Sequence, residues 1–201
     1  MNKRLLGLAV AGSMVLGLAS SATAGVPDLT LSTAAGPASL VQVQITPAGL
    51  GSNLANSGAT VTVTVVDATG TAIAGYPFQD MTLNDIGNGD LNICPGGSTA
   101  DANTNASGQA TFTGNIAGGG QTQAGLQVYL GGSPLNGAAL SIDVNSSDIN
   151  GDRTVNISDV GLFATDFASG GFAFRSDFVA DGVLNISDVG NFATHVTEVC
   201  P

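Results

Sequence analysis

The sequence predicts a mainly β protein, in which a β-sandwich of about seven strands is followed by a small α-helical segment with two acidic loops. Residues 39–144 alternate apolar and polar side chains with period two, and turn sequences rich in Gly, Asn and Asp separate these runs. Eight of the fifteen acidic residues fall between Asp143 and Asp188. The chain therefore divides into a strand-rich part and an acidic part.

The first 24 residues have the organisation of a removable export signal. Lys3 and Arg4 precede an apolar run from Leu5 to Leu18, and residues 22–24 read Ala-Thr-Ala, a small-x-small cleavage site. This run is too short for a membrane anchor, which needs about 20 apolar residues. We expect a secreted, extracellular or cell-surface protein with no membrane insertion after cleavage, in which residues 25–38 form an N-terminal segment.

Charge limits the classes of partner. After signal removal the chain keeps fifteen acidic residues and two arginines, which gives a net charge of −13. Such a chain repels phosphate backbones and anionic membranes, so we expect no nucleic-acid binding. A cation is the ligand that this charge favours.

Seven segments are predicted as half-buried strands, because each combines β-branched or alternating apolar residues with flanking turn sequences. They are residues 39–45, 59–66, 79–83, 91–94, 109–115, 125–130 and 138–144. Gly118, Gly119 and Gly120 lack the lysine and hydroxyl ending of a phosphate-binding loop, so we predict a flexible turn there.

The two cysteines, Cys94 and Cys200, allow one intramolecular disulfide. An exported protein folds in an oxidising compartment, which favours this bridge. It would pin the carboxyl terminus to the middle of the chain and stabilise the fold by about 4 kcal/mol. Two unpaired thiols, or thiols paired between molecules, remain the alternative.

The acidic part contains an internal repeat, because Asn156–Gly161 recurs unchanged as Asn185–Gly190. In the first unit, oxygen-bearing residues occupy places 1, 3, 5, 9 and 12 of a twelve-residue loop, and a backbone carbonyl stands at place 7. This spacing is typical of a loop that surrounds Ca²⁺ with oxygen ligands. The ligands predicted for this first loop are Asp148, Asn150, Asp152, the carbonyl of Thr154, Asn156 and Asp159.

The second loop follows the same grid with one ligand fewer. Its predicted ligands are Asp177, Asp181, the carbonyl of Val183, Asn185 and Asp188. Place 3 is Val179, which cannot bind a metal, so we expect two calcium sites of which the second is weaker. Apolar residues at helical spacing follow each loop, so a helix is predicted after each of them.

Part of the strand-rich segment resembles the bacterial immunoglobulin-like domains of invasin-type surface proteins. The resemblance lies in Val63–Ile73, in Gly75-Tyr76-Pro77, and in Thr104–Ala110, which reads T-N-A-S-G-Q-A. It implies that the sandwich, residues 39–144, is immunoglobulin-like.

The acidic repeat resembles the type I dockerin module. Residues 148–160 read D-I-N-G-D-R-T-V-N-I-S-D-V, and the dockerin pattern is D-x-N-x-D-G-x-V-N-x-x-D-V. Residues 177–189 follow it less closely. The resemblance implies a small α-helical dockerin-like module with two calcium loops at residues 145–197, before a tail at 198–201. It also implies a cohesin-like partner, which would contact Ile157, Ser158, Ile186 and Ser187.

Together these patterns predict a non-catalytic protein that mediates calcium-dependent protein–protein attachment, in polysaccharide degradation or surface assembly. A catalytic role is disfavoured, because His195 is the only histidine and the only glutamate, Glu198, lies in the tail. Two alternatives remain. One is a structural or adhesive cell-surface protein whose calcium loops only stabilise the fold, and the other is an accessory module that binds a glycan.

Overall fold

The computed structural model describes residues 25–86, 90–137 and 139–201. The predicted export signal, residues 1–24, lies outside these described residues. The described ranges contain ten strands: β1 Thr33–Ala35, β2 Val41–Ile45, β3 Val61–Thr64, β4 Met81–Asp85, β5 Leu91–Ile93, β6 Gln109–Phe112, β7 Gly118–Gly120, β8 Leu126–Leu130, β9 Ser133–Pro134 and β10 Ile142–Ser146. Two α-helices follow, α1 Ile157–Ser169 and α2 Ile186–His195, together with single 3-10 turns at Phe78–Asp80 and Phe174–Ser176.

The alternation of side chains explains most of the strands. In β3 the valines Val61 and Val63 are fully buried while Thr62 and Thr64 are half-buried, as expected for a strand with one face on a core. Each of the seven predicted strands overlaps an observed one. The strands β1, β7 and β9 were not predicted, and Gly118–Gly120 is strand β7 rather than a flexible turn.

The strands divide among four small sheets. Two sheets have three strands, in the orders β1-β3-β6 and β4-β8-β9, and two are pairs, β2 with β10 and β5 with β7. The β2–β10 pair is parallel, with Val144 opposite Val43, whereas the other pairs are antiparallel. A sandwich of the immunoglobulin type consists of two larger antiparallel sheets.

The predicted fold class, an immunoglobulin-like β-sandwich followed by a small α-helical dockerin-like module with two calcium loops, is therefore wrong. The protein consists mostly of strands in several small sheets, and the described residues contain two α-helices. No metal-binding loop-and-helix module is evident, because no three or more Asp, Glu, His or Cys side chains within the described ranges are grouped so that they could hold an ion. The carboxylates accept hydrogen bonds from backbone N–H groups instead.

One apolar core fills the space between the sheets. Its largest fully buried side chains include Phe112, Ile45, Leu54, Met81 and Leu83. Burying a side chain of this size stabilises the fold by about 2 kcal/mol. Burial of these side chains therefore stabilises the strand-rich part.

A second core lies between the helices. Phe163 of α1 and Phe192 of α2 stack with ring centroids 5.1 Å apart, and Phe178 packs against both rings. Ile149 and Val155 complete this cluster. The helices are thus held together by the aromatic positions that the repeat duplicates.

Hydrogen bonds and one disulfide join the strands to the region that follows β10. Gln42 Nε2 and Asn145 Nδ2 donate to the carbonyl of Asp177, over 2.6 and 2.7 Å, and Gln44 Nε2 donates to Asn191 Oδ1. Cys94 and Cys200 form a disulfide, which confirms the predicted pairing. The boundary proposed at residue 145 stays a prediction.

Candidate functional site: two acidic loops

Two loops with the same geometry precede the helices, and we name them loop 1, residues 148–159, and loop 2, residues 177–188. In loop 1, Asp148 is fully buried and its carboxylate accepts hydrogen bonds from the backbone N–H of Asp152 at 3.1 Å and of Arg153 at 2.6 Å. Asp159 is also fully buried and accepts from the backbone N–H of Asn150 and Asn156. The two carboxylates therefore close the loop from its two ends.

The remaining predicted residues of loop 1 lie on its more exposed side. Asp152 Oδ2 accepts from Asn150 Nδ2 at 3.1 Å and from Asn156 Nδ2 at 3.3 Å. Asn156 Nδ2 also donates to the carbonyl of Thr154 over 3.2 Å. All six predicted residues of loop 1 are thus connected in one hydrogen-bonded loop.

Loop 2 repeats this arrangement. Asp177 accepts from the backbone N–H of Asp181 and Gly182, and Asp188 accepts from the backbone N–H of Phe178 and Asn185. Asn185 Nδ2 donates to Asp181 Oδ2 at 3.2 Å and to the carbonyl of Val183 at 3.1 Å. Val179 donates only its backbone N–H, to Asp188, so its side chain supplies no oxygen to the loop.

Each helix begins with a reciprocal cap. Asn156 caps α1 by accepting from the backbone N–H of Ser158, and the Asp159 side chain accepts from the backbone N–H of Asn156. Asn185 and Asp188 form the same box at α2. A capping residue of this kind stabilises a helix by about 1 kcal/mol. The Asn at place 9 and the Asp at place 12 of each loop therefore stabilise the following helix, whether or not they bind an ion.

Two left-handed backbone positions bend each loop, at places 4 and 6. In loop 1 these are Gly151 at φ 70° and Arg153 at φ 72°, and in loop 2 they are Ala180 at φ 57° and Gly182 at φ 77°. Glycine adopts this conformation without a steric penalty, while other residues do not. Loop 1 therefore has its unstrained bend at place 4 and its strained bend at place 6, and loop 2 has the reverse.

In the described part of the chain, no ion pair involves the buried carboxylates of loops 1 and 2. The described residues form one ion pair, Arg175 with Asp166, and a hydrogen bond between His195 Nδ1 and Glu198 Oε1, and none of these residues belongs to the set predicted to bind metal. Burial, helped by the nearby charges of Asp159 and Asp152, raises the pKa of Asp148 to about 6, although the hydrogen bonds from the backbone N–H groups of Arg153 and Asp152 act in the opposite direction. Burial likewise raises the pKa of Asp177. Negative charge is thus held inside both loops at an energetic cost.

The oxygen atoms of these loops are of the type that binds a hard divalent cation, but the side chains are not arranged around a cation in the structure. Carboxylate, amide and carbonyl oxygens are the ligands that Ca²⁺ prefers, and a cation would compensate the buried charge. However, no group of three or more Asp, Glu, His or Cys side chains in the described part of the chain is placed to hold a metal. Ion binding would therefore require these side chains to adopt a different arrangement.

The residues predicted to contact a partner are exposed. Ile157 and Ile186, the first residue of each helix, are 81% and 75% exposed, and Ser158 and Ser187 beside them are exposed as well. The duplicated Ile-Ser pair thus presents two similar small apolar surfaces.

Sequence reasoning missed the strand that supports loop 1. Gly120 of β7 donates its backbone N–H to the carbonyl of Asp148, and a Cβ atom on Gly119 would overlap Asp148 Oδ2 and lie 2.5 Å from Cγ. The glycine run allows β7 to approach the buried carboxylate this closely. Three consecutive glycines were a signal for such an approach, although they do not identify what approaches.

Within the described ranges, no helix has both the length and the apolar character needed to cross a membrane. The disulfide is compatible with an extracellular protein. No protein-family model matches the chain, and no curated protein matches its sequence. The resemblances to immunoglobulin-like and dockerin sequences therefore rest on the motif residues alone.

Proposed function

We propose that this chain is an exported, non-catalytic attachment protein whose acidic loops bind Ca²⁺ and whose duplicated Ile-Ser pairs contact a protein partner. The observation that supports this most is the similar, high exposure of Ile157 and Ile186, each the first residue of a helix. Each pair immediately precedes the closing aspartate of its loop, Asp159 or Asp188. A change of loop geometry on ion binding would therefore reposition the exposed isoleucines.

The cation is proposed from charge and donor chemistry. Asp148, Asp159, Asp177 and Asp188 are buried, and compensation by a divalent ion would remove the repulsion between carboxylates of the same loop. Oxygen-only donors favour Ca²⁺ over Zn²⁺, which prefers nitrogen and sulfur. In loop 1 the ligands would be Asp148, Asn150, Asp152, the carbonyl of Thr154, Asn156 and Asp159. Loop 2, which has Val179 at place 3, would bind more weakly.

The partner to test first is a cohesin domain, because the sequence resemblance of residues 148–160 implies one. An immobilised panel of purified cohesin domains is incubated with the full exported chain in Ca²⁺ and in chelator. We expect capture in Ca²⁺ alone, with loss of capture in the double variant Ile157→Asp, Ile186→Asp. Leu50→Asp is the matched control, because Leu50 is 67% exposed and lies in the strand-rich part. Equal capture by the double variant would contradict the proposal.

A structural role is the second candidate, and the contacts between strands and loops favour it. Gln42, Gln44 and Asn145 hold loop 2 and α2 against the strands, so ion binding to that loop would stiffen the whole chain. In this case Ca²⁺ raises the melting temperature of the chain, and no cohesin domain captures it. Capture in chelator would count against both candidates.

A further inference from the structure

The carboxyl-terminal residues 197–200, which we name the strap, run antiparallel to one edge of loop 1. Thr197 N–H donates to the carbonyl of Val155 at 2.9 Å, and Val155 N–H donates to the carbonyl of Glu198 at 2.8 Å. Cys200 N–H donates to the carbonyl of Arg153 at 3.1 Å, and Thr154 lies opposite Val199. Three backbone hydrogen bonds therefore fix places 6 to 8 of loop 1.

The strap is fastened at its end to the strand-rich part. Cys200 forms the disulfide with Cys94, which is 2% exposed and directly follows β5. The backbone of Cys94 is itself bonded to that of Ala117, over 2.9 Å. Because Cys94 is buried and hydrogen-bonded to the strand-rich part, the disulfide ties the strap, and through it loop 1, to that part of the chain.

The strap sets the direction of one predicted ligand. Its three hydrogen bonds go to the backbone of Arg153 and Val155, on either side of Thr154, and none of them uses the carbonyl of Thr154. The carbonyl of Thr154 accordingly faces Asn156 Nδ2 within the loop rather than the strap. Place 7 is thus prearranged by contacts outside the loop itself.

Loop 2 has no counterpart of the strap. Within the described residues, no backbone group from another segment hydrogen-bonds to Gly182, Val183 or Leu184. The carbonyl of Val183 accepts only from Asn185 Nδ2 of its own loop. The two loops share their internal pattern and differ in this external support.

We propose that the strap is a redox-cleavable support for loop 1, so that the Cys94–Cys200 disulfide sets the cation affinity of loop 1 and leaves loop 2 unaffected. This inference rests on the proposed calcium binding. A dithiol reductant supplies two electrons, the S–S bond breaks, two protons give the thiols of Cys94 and Cys200, and the reductant becomes its own cyclic disulfide. Without the disulfide, the strap can separate from loop 1 and its three hydrogen bonds can break. Ca²⁺ binding must then also order loop 1, and this ordering lowers the affinity of loop 1 for Ca²⁺.

The first test measures Ca²⁺ affinity by calorimetry on the full exported chain. Asp188→Asn removes a ligand of loop 2, so that variant reports the affinity of loop 1, and Asp159→Asn removes a ligand of loop 1, so that variant reports the affinity of loop 2. The Ca²⁺ affinity of each variant is measured with the disulfide intact and after both cysteines are replaced, by Cys94→Ser and Cys200→Ser. We expect about a tenfold weaker affinity of loop 1 without the disulfide, within the usual range of coupling between two sites. The affinity of loop 2 should be unchanged. Equal affinity of loop 1 in both forms would overturn the inference.

A second measurement needs no cysteine variant. In Asp188→Asn, the fraction of oxidised chain is measured at equilibrium in a buffer of oxidised and reduced dithiothreitol, with Ca²⁺ and with chelator. Coupling is reciprocal, so saturating Ca²⁺ should favour the disulfide by the same factor by which the disulfide favours Ca²⁺. An equilibrium that does not respond to Ca²⁺ would also overturn the inference.

Amide hydrogen exchange separates a failure of the strap from a failure of the proposed function. In chelator, the N–H of Val155 should exchange faster in Cys94→Ser, Cys200→Ser than in the unmodified chain, while the N–H of Gly182 in loop 2 should not change. Absence of any calcium heat in the unmodified chain would refute calcium binding and, with it, the effect on affinity. Unchanged protection of Val155 would refute the strap itself, whether or not calcium binds.

Discussion

Replacing Gly119 by alanine tests whether strand β7 supports the buried carboxylate of loop 1. Gly119 is buried and pairs with Asn92 of β5, and a Cβ atom there would overlap Asp148 Oδ2 and lie 3.1 Å from Asp148 Cβ. Asp148 is fully buried, so its carboxylate has no free space on the surface to move into. Either the carboxylate leaves its hydrogen bonds, or β7 moves away from β5.

The expected cost follows from the contacts that would be lost. Overpacking a buried site costs about 1–3 kcal/mol. Loss of a hydrogen bond to a charged group costs about 1.5–3 kcal/mol, and Asp148 accepts two from the backbone of Asp152 and Arg153. These terms overlap because relieving the clash is what breaks the bonds, so we expect Gly119→Ala to lower the free energy of unfolding by about 3 kcal/mol.

The assay is urea denaturation of the metal-free, oxidised chain. Gly161→Ala and Gly190→Ala are matched controls, because these glycines lie inside α1 and α2 and a Cβ atom on either meets nothing within 4 Å. Each control should raise the free energy of unfolding by about 0.5–1 kcal/mol. If Gly119→Ala unfolds within 0.5 kcal/mol of the unmodified chain, the proposed support of loop 1 by β7 is wrong.

Two further predictions concern local strain and acid stability. Arg153→Gly and Ala180→Gly should each stabilise the chain by about 0.5–1 kcal/mol, measured by thermal denaturation. Both residues have positive φ, and the strain that glycine removes outweighs the extra freedom that glycine gives the unfolded chain. A loss of stability in either variant would contradict the proposed strain. Hydrogen bonds from Arg175 hold the pKa of Asp166 below its usual value. These bonds therefore stabilise the folded chain above about pH 4, and this contribution is lost as the pH falls through the lowered pKa. Asp166→Asn should therefore flatten the fall in urea stability between pH 5 and pH 2, and an unchanged slope would refute this.

Local elements of this protein could be predicted because local side chains determine them. The valines of Val61–Thr64 alternate with threonine, and the identical Asn-Ile-Ser-Asp sequences start both helices with the same cap. Both signals act over a few residues. The sequence shows them without reference to the rest of the chain.

The pairing of strands could not be predicted in this way. β2 pairs in parallel with β10, almost a hundred residues later, and nothing in either strand specifies its neighbour. Gly118–Gly120 has no side chains, and therefore no alternation from which a strand could be recognised. The predicted fold class was wrong for this reason: strand count suggested a sandwich, while pairing produced four small sheets.

For the candidate site, the spacing grouped residues that hydrogen bonds join within each loop, whereas their role as metal ligands stays a prediction and the spacing could not show what surrounds them. Gly119, Gln42 and the strap contact the loops from distant parts of the sequence. Spacing also does not determine whether a carboxylate faces an ion or a backbone N–H group, and in the structure Asp148 and Asp159 accept from the backbone. These features depend on packing between segments.

The central claim, that the acidic loops take up Ca²⁺, is tested most directly by calorimetric titration of the metal-free, oxidised chain. The account predicts two binding events of different affinity, with loss of the tighter one in Asp148→Asn and of the weaker one in Asp177→Asn. An absence of heat, or identical isotherms for the unmodified chain and both variants, would contradict it.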